Sequence, residues 1–178
     1  VGEFGDGGEA LSYGMAGKAD ICEGEVYVDD RKSSLEFLFQ NSWYIGSDLK
    51  VPKWYPKKKK TVKWQIAYGA RKFKQEHDAD TIQRLFRVSD ERVNRNINFV
   101  SGERWKASAA IAFANGRRIF CYPWMNTRDV RLLKEQMAGT IEFLLASKCI
   151  VILPTTTERN VEAVYPEHEI ISLRTVLD

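Results

Sequence analysis

The sequence predicts an α/β protein with a mixed central sheet flanked by helices. Three observations carry that prediction. Thr127 to Ser147 places Val130, Leu133, Met137, Ile141 and Leu144 on one helical face. Val26 to Asp30 alternates as a strand does, with Val26 and Val28 facing one way and Tyr27 and Asp29 the other. Cys149 to Leu153 is a short apolar run of strand length. At 178 residues, 44% hydrophobic and 29% charged, the chain can bury a proper core as one domain spanning 1–178. No apolar run approaches the roughly 20 residues that would cross a bilayer, so no membrane partner is expected. The polar, glycine-rich opening is not a signal peptide, and a cytoplasmic setting follows. Beginning at Val1, the chain has the look of a piece of something longer.

The remaining elements follow in order. Gly2 to Gly8 reads as a loop and Glu9 to Met15 as a short helix ended by Gly14 and Gly17. Ala19 to Cys22 pairs with Val26 to Asp30 around a turn at Glu23-Gly24-Glu25. Ser34 to Tyr44 is apolar and aromatic, and its pattern fits helix and strand equally. Pro52, Pro56 and the lysine run mark an exposed loop. Val62 to Gln75 is predicted helical, with Ile66, Ala70 and Phe73 on one face. Ile82 to Val88 is expected as a strand. Glu103 to Ala114 is ambiguous. Asn115-Gly116 has the chemistry of a hairpin turn, joining Ala110–Phe113 to Arg118–Tyr122. Ile170 to Leu173 is a last candidate strand.

Cys22, Cys121 and Cys149 are scattered, as reduced thiols are, and lack the clustering of a zinc or iron–sulfur site. His77 and His168 are too isolated to build a histidine metal site. The net charge of +3 is unevenly distributed. Residues 1–49 carry ten acids and three bases, residues 50–74 carry ten bases and no acid, and residues 75–178 balance. An acidic stretch followed by a basic one suits a metal held beside a polyanion.

The chemistry-bearing stretch runs from Gly14 to Ser34. Asp20 opens a strand, and Asp30-Arg31-Lys32 closes its expected partner. A hairpin would bring the two ends together, and Asp30 and Lys32, two apart, would leave one face. Two carboxylates suit a divalent cation such as Mg2+, with Lys32 beside an incoming phosphate. This run resembles the PD-(D/E)xK nucleases, in their RecB-like exonuclease branch. The pattern is glycine-x-x-aspartate, an apolar strand, then acid-x-lysine-serine, over Gly14–Asp20 and Val26–Ser34. Trp64-Gln65-Ile66-Ala67-Tyr68 is similar to the helix that follows in that branch.

The resemblance covers 14–88, leaving 89–178 as unassigned remainder, and implies a restriction-endonuclease-like core. It implies Mg2+ or Mn2+ on Asp20 and Asp30, with Glu9 as the upstream acid that completes the set. Lys32 and Gln65 join the two aspartates as catalytic residues, and Tyr68 touches nucleic acid. The implied activity is metal-dependent hydrolysis of DNA, with exonuclease action, and RNA left open as a substrate.

Between these motifs lies a lysine arm. Lys53, Trp54, Tyr55, Lys57, Lys58, Lys59, Lys60 and Lys63 combine phosphate-neutralising charge with rings that stack on bases. Two other readings compete. Gly2-Glu3-Phe4-Gly5-Asp6-Gly7-Gly8-Glu9-Ala10-Leu11 resembles the glycine-rich lid box of the GHKL ATPases, which implies an ATP-binding fragment; a glycine loop entering a helix can cradle phosphates. A non-catalytic nucleic-acid-binding module would use the lysine arm, with Arg117-Arg118 adding to it.

Overall fold

The computed structural model describes residues 1–2, 7–19, 25–28, 30–49, 56, 61–166 and 169. Its α/β class agrees with expectation, but the sheet is not one mixed sheet. A two-stranded antiparallel hairpin and a three-stranded parallel sheet are separate. The chain divides into two compact units, Val1–Tyr44 with Ile119–Asp178, and Ile45–Arg118.

The first unit holds both sheets. Helix α1 covers Gly8–Met15, and the hairpin pairs β1 (Tyr27–Val28) with β2 (Arg31–Lys32). The turn between them includes Asp30, whose φ of 59° is left-handed, while the turn expected at Glu23-Gly24-Glu25 lies mostly outside the described residues. Asp tolerates that conformation better than most side chains. The expected partner strand from Ala19 to Cys22 falls mostly outside the described residues.

Ser34 to Tyr44, ambiguous by pattern, is both structures in turn. Helix α2 (Leu35–Asn41) starts where the Ser34 hydroxyl accepts the Phe37 N–H, and β3 (Ser42–Tyr44) follows at once. Strand β4 (Ile119–Cys121) lies between β3 and β5 (Ile150–Ile152), parallel to both. Parallel strands need long crossovers. From β3 to β4 the crossover is the whole second unit; from β4 to β5 it is α7 (Thr127–Ala146). The Asn126 side chain caps α7, and Val130, Met137, Ile141 and Leu144 are buried as predicted. Helix α8 is Glu158–Glu162. Ala16, Leu38, Ile119 and Cys121 form a core cluster, with Met15, Val26, Tyr44 and Ile152 packed on it.

The second unit is helical. Helix α3 is Val62–Lys72, within the predicted span, with Ile66 and Ala70 buried and Phe73 exposed. The expected strand over Ile82–Val88 is instead helix α4 (Ala79–Leu85). The Asp78 carboxylate caps it by accepting the Thr81 N–H at 2.7 Å, and Ile82 and Phe86, four apart, are both buried. Helix α5 is Asp90–Val93, and two single 3-10 turns, Ile97–Phe99 and Ser101–Glu103, lead into α6 (Arg104–Ala114).

The hairpin expected at Asn115-Gly116 is in fact the end of α6. Gly116, at φ 74°, lets its own N–H reach the Phe113 carbonyl and the Arg117 N–H reach that of Ala112. Glycine just past a helix end commonly makes this pair of bonds. β4 pairs with β3 and β5 rather than with residues 110–113. α3 and α6 approach closely at Gly69, where a Cβ would lie 2.4 Å from the Asn115 amide nitrogen.

Candidate functional site

The three parallel strands run the same way, so their carboxyl ends collect on one edge of the sheet, where open α/β proteins bind ligands. Four segments of the first unit meet there. They are Tyr44 at the end of β3, Tyr122 to Met125 after β4, Pro154 and Thr155 after β5, and Gly2 with the first turn of α1.

Glu9, in the first turn of α1, is the centre of the arrangement. One carboxylate oxygen accepts the Tyr44 hydroxyl at 2.5 Å, and the other accepts the Trp124 backbone N–H at 2.5 Å. Burial, then the Glu9 carboxylate beside it, pushes the Tyr44 phenol well above its ordinary range. Tyr13 meets the Tyr44 ring edge-on at 4.6 Å, and the Lys18 ammonium stands 5.9 Å from the centre of that ring.

Trp124 ties both ends of the glycine loop. Its indole N–H donates to the Gly2 carbonyl at 3.2 Å, while its backbone holds Glu9. Gly2 is fixed in turn by its N–H to the Thr155 carbonyl at 3.0 Å. Gly7 caps α1 at φ 83° with no side-chain cap, and Gly8 packs beneath the Trp124 ring and Pro154. Deeper in the same edge, the buried Asn160 amide donates to the hydroxyls of Thr155 at 2.9 Å and Thr156 at 3.0 Å. The Ser12 hydroxyl donates to the Tyr122 carbonyl, joining α1 to the segment after β4.

The residues singled out from sequence are placed differently from one another. Asp30 is exposed in the hairpin turn, and the Lys32 ammonium is ion-paired with Glu25. Asp20 lies outside the described residues, as do Lys53, Trp54, Tyr55, Lys57, Lys58, Lys59 and Lys60. Gln65 belongs to the second unit; it is buried, and its side-chain oxygen accepts the Leu49 N–H. Tyr68 stacks on Trp64 at 5.1 Å, and Lys63 pairs with Asp80 at 3.2 Å. Of the two expected metal ligands among the described residues, Glu9 joins the crevice, where its partners are Tyr44 and Trp124, and Asp30 lies in the hairpin turn. Among the described residues no group of three or more His, Cys, Asp or Glu is arranged to hold a metal ion. No described helix is long and apolar enough to cross a membrane.

Comparison with solved structures identifies the fold. The chain is similar to the ATP-binding subunit of an ABC transporter, with a TM-score of 0.56 and 16% identity over 92% of this chain and 69% of that one. It is also similar to a dimeric, post-hydrolysis ATP-binding cassette bound to ADP and Pi, with a TM-score of 0.58 and 16% identity over 90% of this chain and 74% of that one. No family model matches, and no curated protein does.

These likenesses overturn the nuclease reading. The fold is that of ATP-binding cassettes, not of the PD-(D/E)xK core, so DNA hydrolysis, exonuclease action and a DNA partner no longer follow from the Asp20–Lys32 pattern. The misreading has a simple physical origin. An acid-x-lysine triplet in a tight hairpin needs only a turn-tolerant Asp and an exposed Lys. The ATP-binding alternative comes nearer, with a cassette fold in place of the GHKL type.

The glycine run likened above to a GHKL lid box carries a second spacing. Phosphate-binding loops follow G-x-x-x-x-G-K-[ST] and open a helix. Gly2, Gly7, Gly8 and Glu9 keep that spacing and open α1, with Gly8 at the lysine position and Glu9 at the hydroxyl position. Without the lysine the pattern reads only as a run of glycines.

Proposed function

We propose that this chain is a nucleotide-binding domain of the ATP-binding-cassette type, taking ATP or ADP in the loop from Gly2 to Gly8. The observation that carries this reading is the Gly7-Gly8 start of α1 at the carboxyl edge of a parallel sheet, in a chain with the cassette fold. Backbone N–H groups at such a loop and helix start favour phosphate oxygens without help from a side chain. Mg2+, expected from the sequence as a nuclease cation, becomes in this reading the companion of the nucleotide's phosphates. The dimeric state named for one similar cassette makes a second cassette domain the implied partner.

Titration calorimetry with ATP and with ADP tests the binding. Saturable heat that falls at least about tenfold in affinity in Gly7→Val supports the reading, because valine resists the left-handed backbone that Gly7 adopts. Absence of binding to either nucleotide refutes it.

A further inference from the structure

We propose that this crevice holds nucleotide without contributing a ligand to a divalent cation, and without turning the nucleotide over. The inference rests on the nucleotide-binding reading and specifies what the site does with its ligand.

Phosphoryl transfer to water is driven mainly by positioning and by neutralising the charge that grows on phosphate oxygens. A phosphate-binding loop supplies two groups for that purpose, a lysine that reaches the β- and γ-phosphates and a hydroxyl on Mg2+. Neither group is present at its position here. Gly8 has no side chain, and one placed there would be tight. A Cβ at that position would sit 3.2 Å from the Pro154 Cβ and 3.3 Å from the Trp124 ring. A lysine there would need Pro154 and Trp124 to give by a few tenths of an ångström.

Glu9 replaces the neutral hydroxyl with a negative group. Both of its oxygens already accept hydrogen bonds, from the Tyr44 hydroxyl and the Trp124 N–H, and both donors belong to the ends of the sheet. The carboxylate is thereby drawn toward β3 and the segment after β4. Its charge also opposes that of the phosphates instead of balancing it. Trp124 adds a structural part, since its indole N–H donates to the Gly2 carbonyl and its backbone N–H to the Glu9 carboxylate. The Trp124 indole and the Glu9 carboxylate thus stand where a lysine and a metal-bound hydroxyl stand in the G-x-x-x-x-G-K-[ST] pattern.

The test uses the purified chain in three arms. ATP binding is measured by calorimetry in EDTA and in Mg2+; phosphate release is followed with each; and Mn2+ alone is titrated by electron paramagnetic resonance into wild type and Glu9→Gln, with circular dichroism checking that the variant folds. The expected results are ATP affinities within about twofold with and without metal, no phosphate release above the protein-free rate, and no retained Mn2+. Binding that appears only with Mg2+, or phosphate release abolished by Glu9→Gln, overturns the inference. Mn2+ retained by wild type and lost in Glu9→Gln also overturns it. If ATP binds in neither EDTA nor Mg2+, the nucleotide-binding reading falls, and with it the claim that nucleotide is held here; the Mn2+ arm reads the absence of a cation ligand separately.

Discussion

Gly69 shows how much one missing methyl group can set. It is buried in α3 where α6 crosses, and a Cβ there would lie 2.6 Å from the Asn115 Cγ and 2.8 Å from the backbone carbonyl carbon of Ala114. Side chains can turn away, but a helix backbone cannot do so alone. Alanine in a helix gains about 1 kcal/mol over glycine from propensity. Overpacking of this kind costs about 1–3 kcal/mol. The clash wins, because one of its partners is backbone. Gly69→Ala should therefore lower stability by about 1–2 kcal/mol in urea unfolding, and a stabilised variant would show that α3 and α6 are not in such close contact. Glu9 shows how little of a site a local pattern carries. Its position on the helix was legible from Glu9 to Met15, but its partners come from Tyr44 and Trp124, more than 30 and 100 positions away in the chain. No local pattern encodes such distant partners.

At the scale of elements, caps and periodicity decided what could be read. Helix α7 was legible because one of its faces is solvated, which leaves a 3.6-residue stripe in the sequence. Helix α6 was not, because residues 107–114 are all buried and the stripe vanishes. Asn115-Gly116 then read as a hairpin turn, although glycine serves a helix end equally well. Helix α4 depends on its first residue in the same way. Asp78→Ala removes the carboxylate that accepts the Thr81 N–H and should cost about 1 kcal/mol, measured as a lower urea midpoint. An unchanged midpoint would mean that water caps α4 as well as Asp78 does.

Strand β4 and the residue after it carry a pH signature. Burial pushes the Cys121 thiol from about 9 up to about 12, and it raises the Tyr122 phenol too. Both groups hold their protons more firmly folded than unfolded. Their contribution to stability is therefore complete below about pH 9 and is lost as the pH climbs toward 12. Each such group adds a slope of about 1.4 kcal/mol per pH unit within that window. Urea unfolding between neutral and alkaline pH should show the decline, and Cys121→Ala should make it shallower. An equal slope in the variant would place the thiol in contact with water.

At the scale of the whole molecule, the chain order sets the organisation. The first unit is assembled from two distant stretches, while the second is one continuous stretch, Ile45–Arg118, inserted between β3 and β4. A sequence reading that looks for linkers finds none, because the insertion begins directly after a strand and ends directly before one. The second unit has its own buried apolar set, including Val62, Ile66, Ile82, Phe86, Val93, Ile97, Val100 and Ile111. Phe86 and Phe113 meet within it at 5.6 Å between ring centres. It also closes its own polar groups. The Ser108 hydroxyl donates to the Ser47 carbonyl at 2.7 Å and accepts the Gly46 N–H at 2.9 Å, and the Arg104 guanidinium donates to the Gly46 carbonyl. Those bonds tie the beginning of the stretch to α6 near its end.

A continuous segment with a private core and its two ends fastened together is a candidate for independent folding. Expressed alone, residues 45–118 should give a helical circular-dichroism spectrum and a cooperative thermal transition, with Ser108→Ala lowering its midpoint. The first unit offers no such experiment, since its sheet needs β3 from one stretch and β4 and β5 from the other. A random-coil spectrum for the isolated segment would show that its core depends on the remainder of the chain.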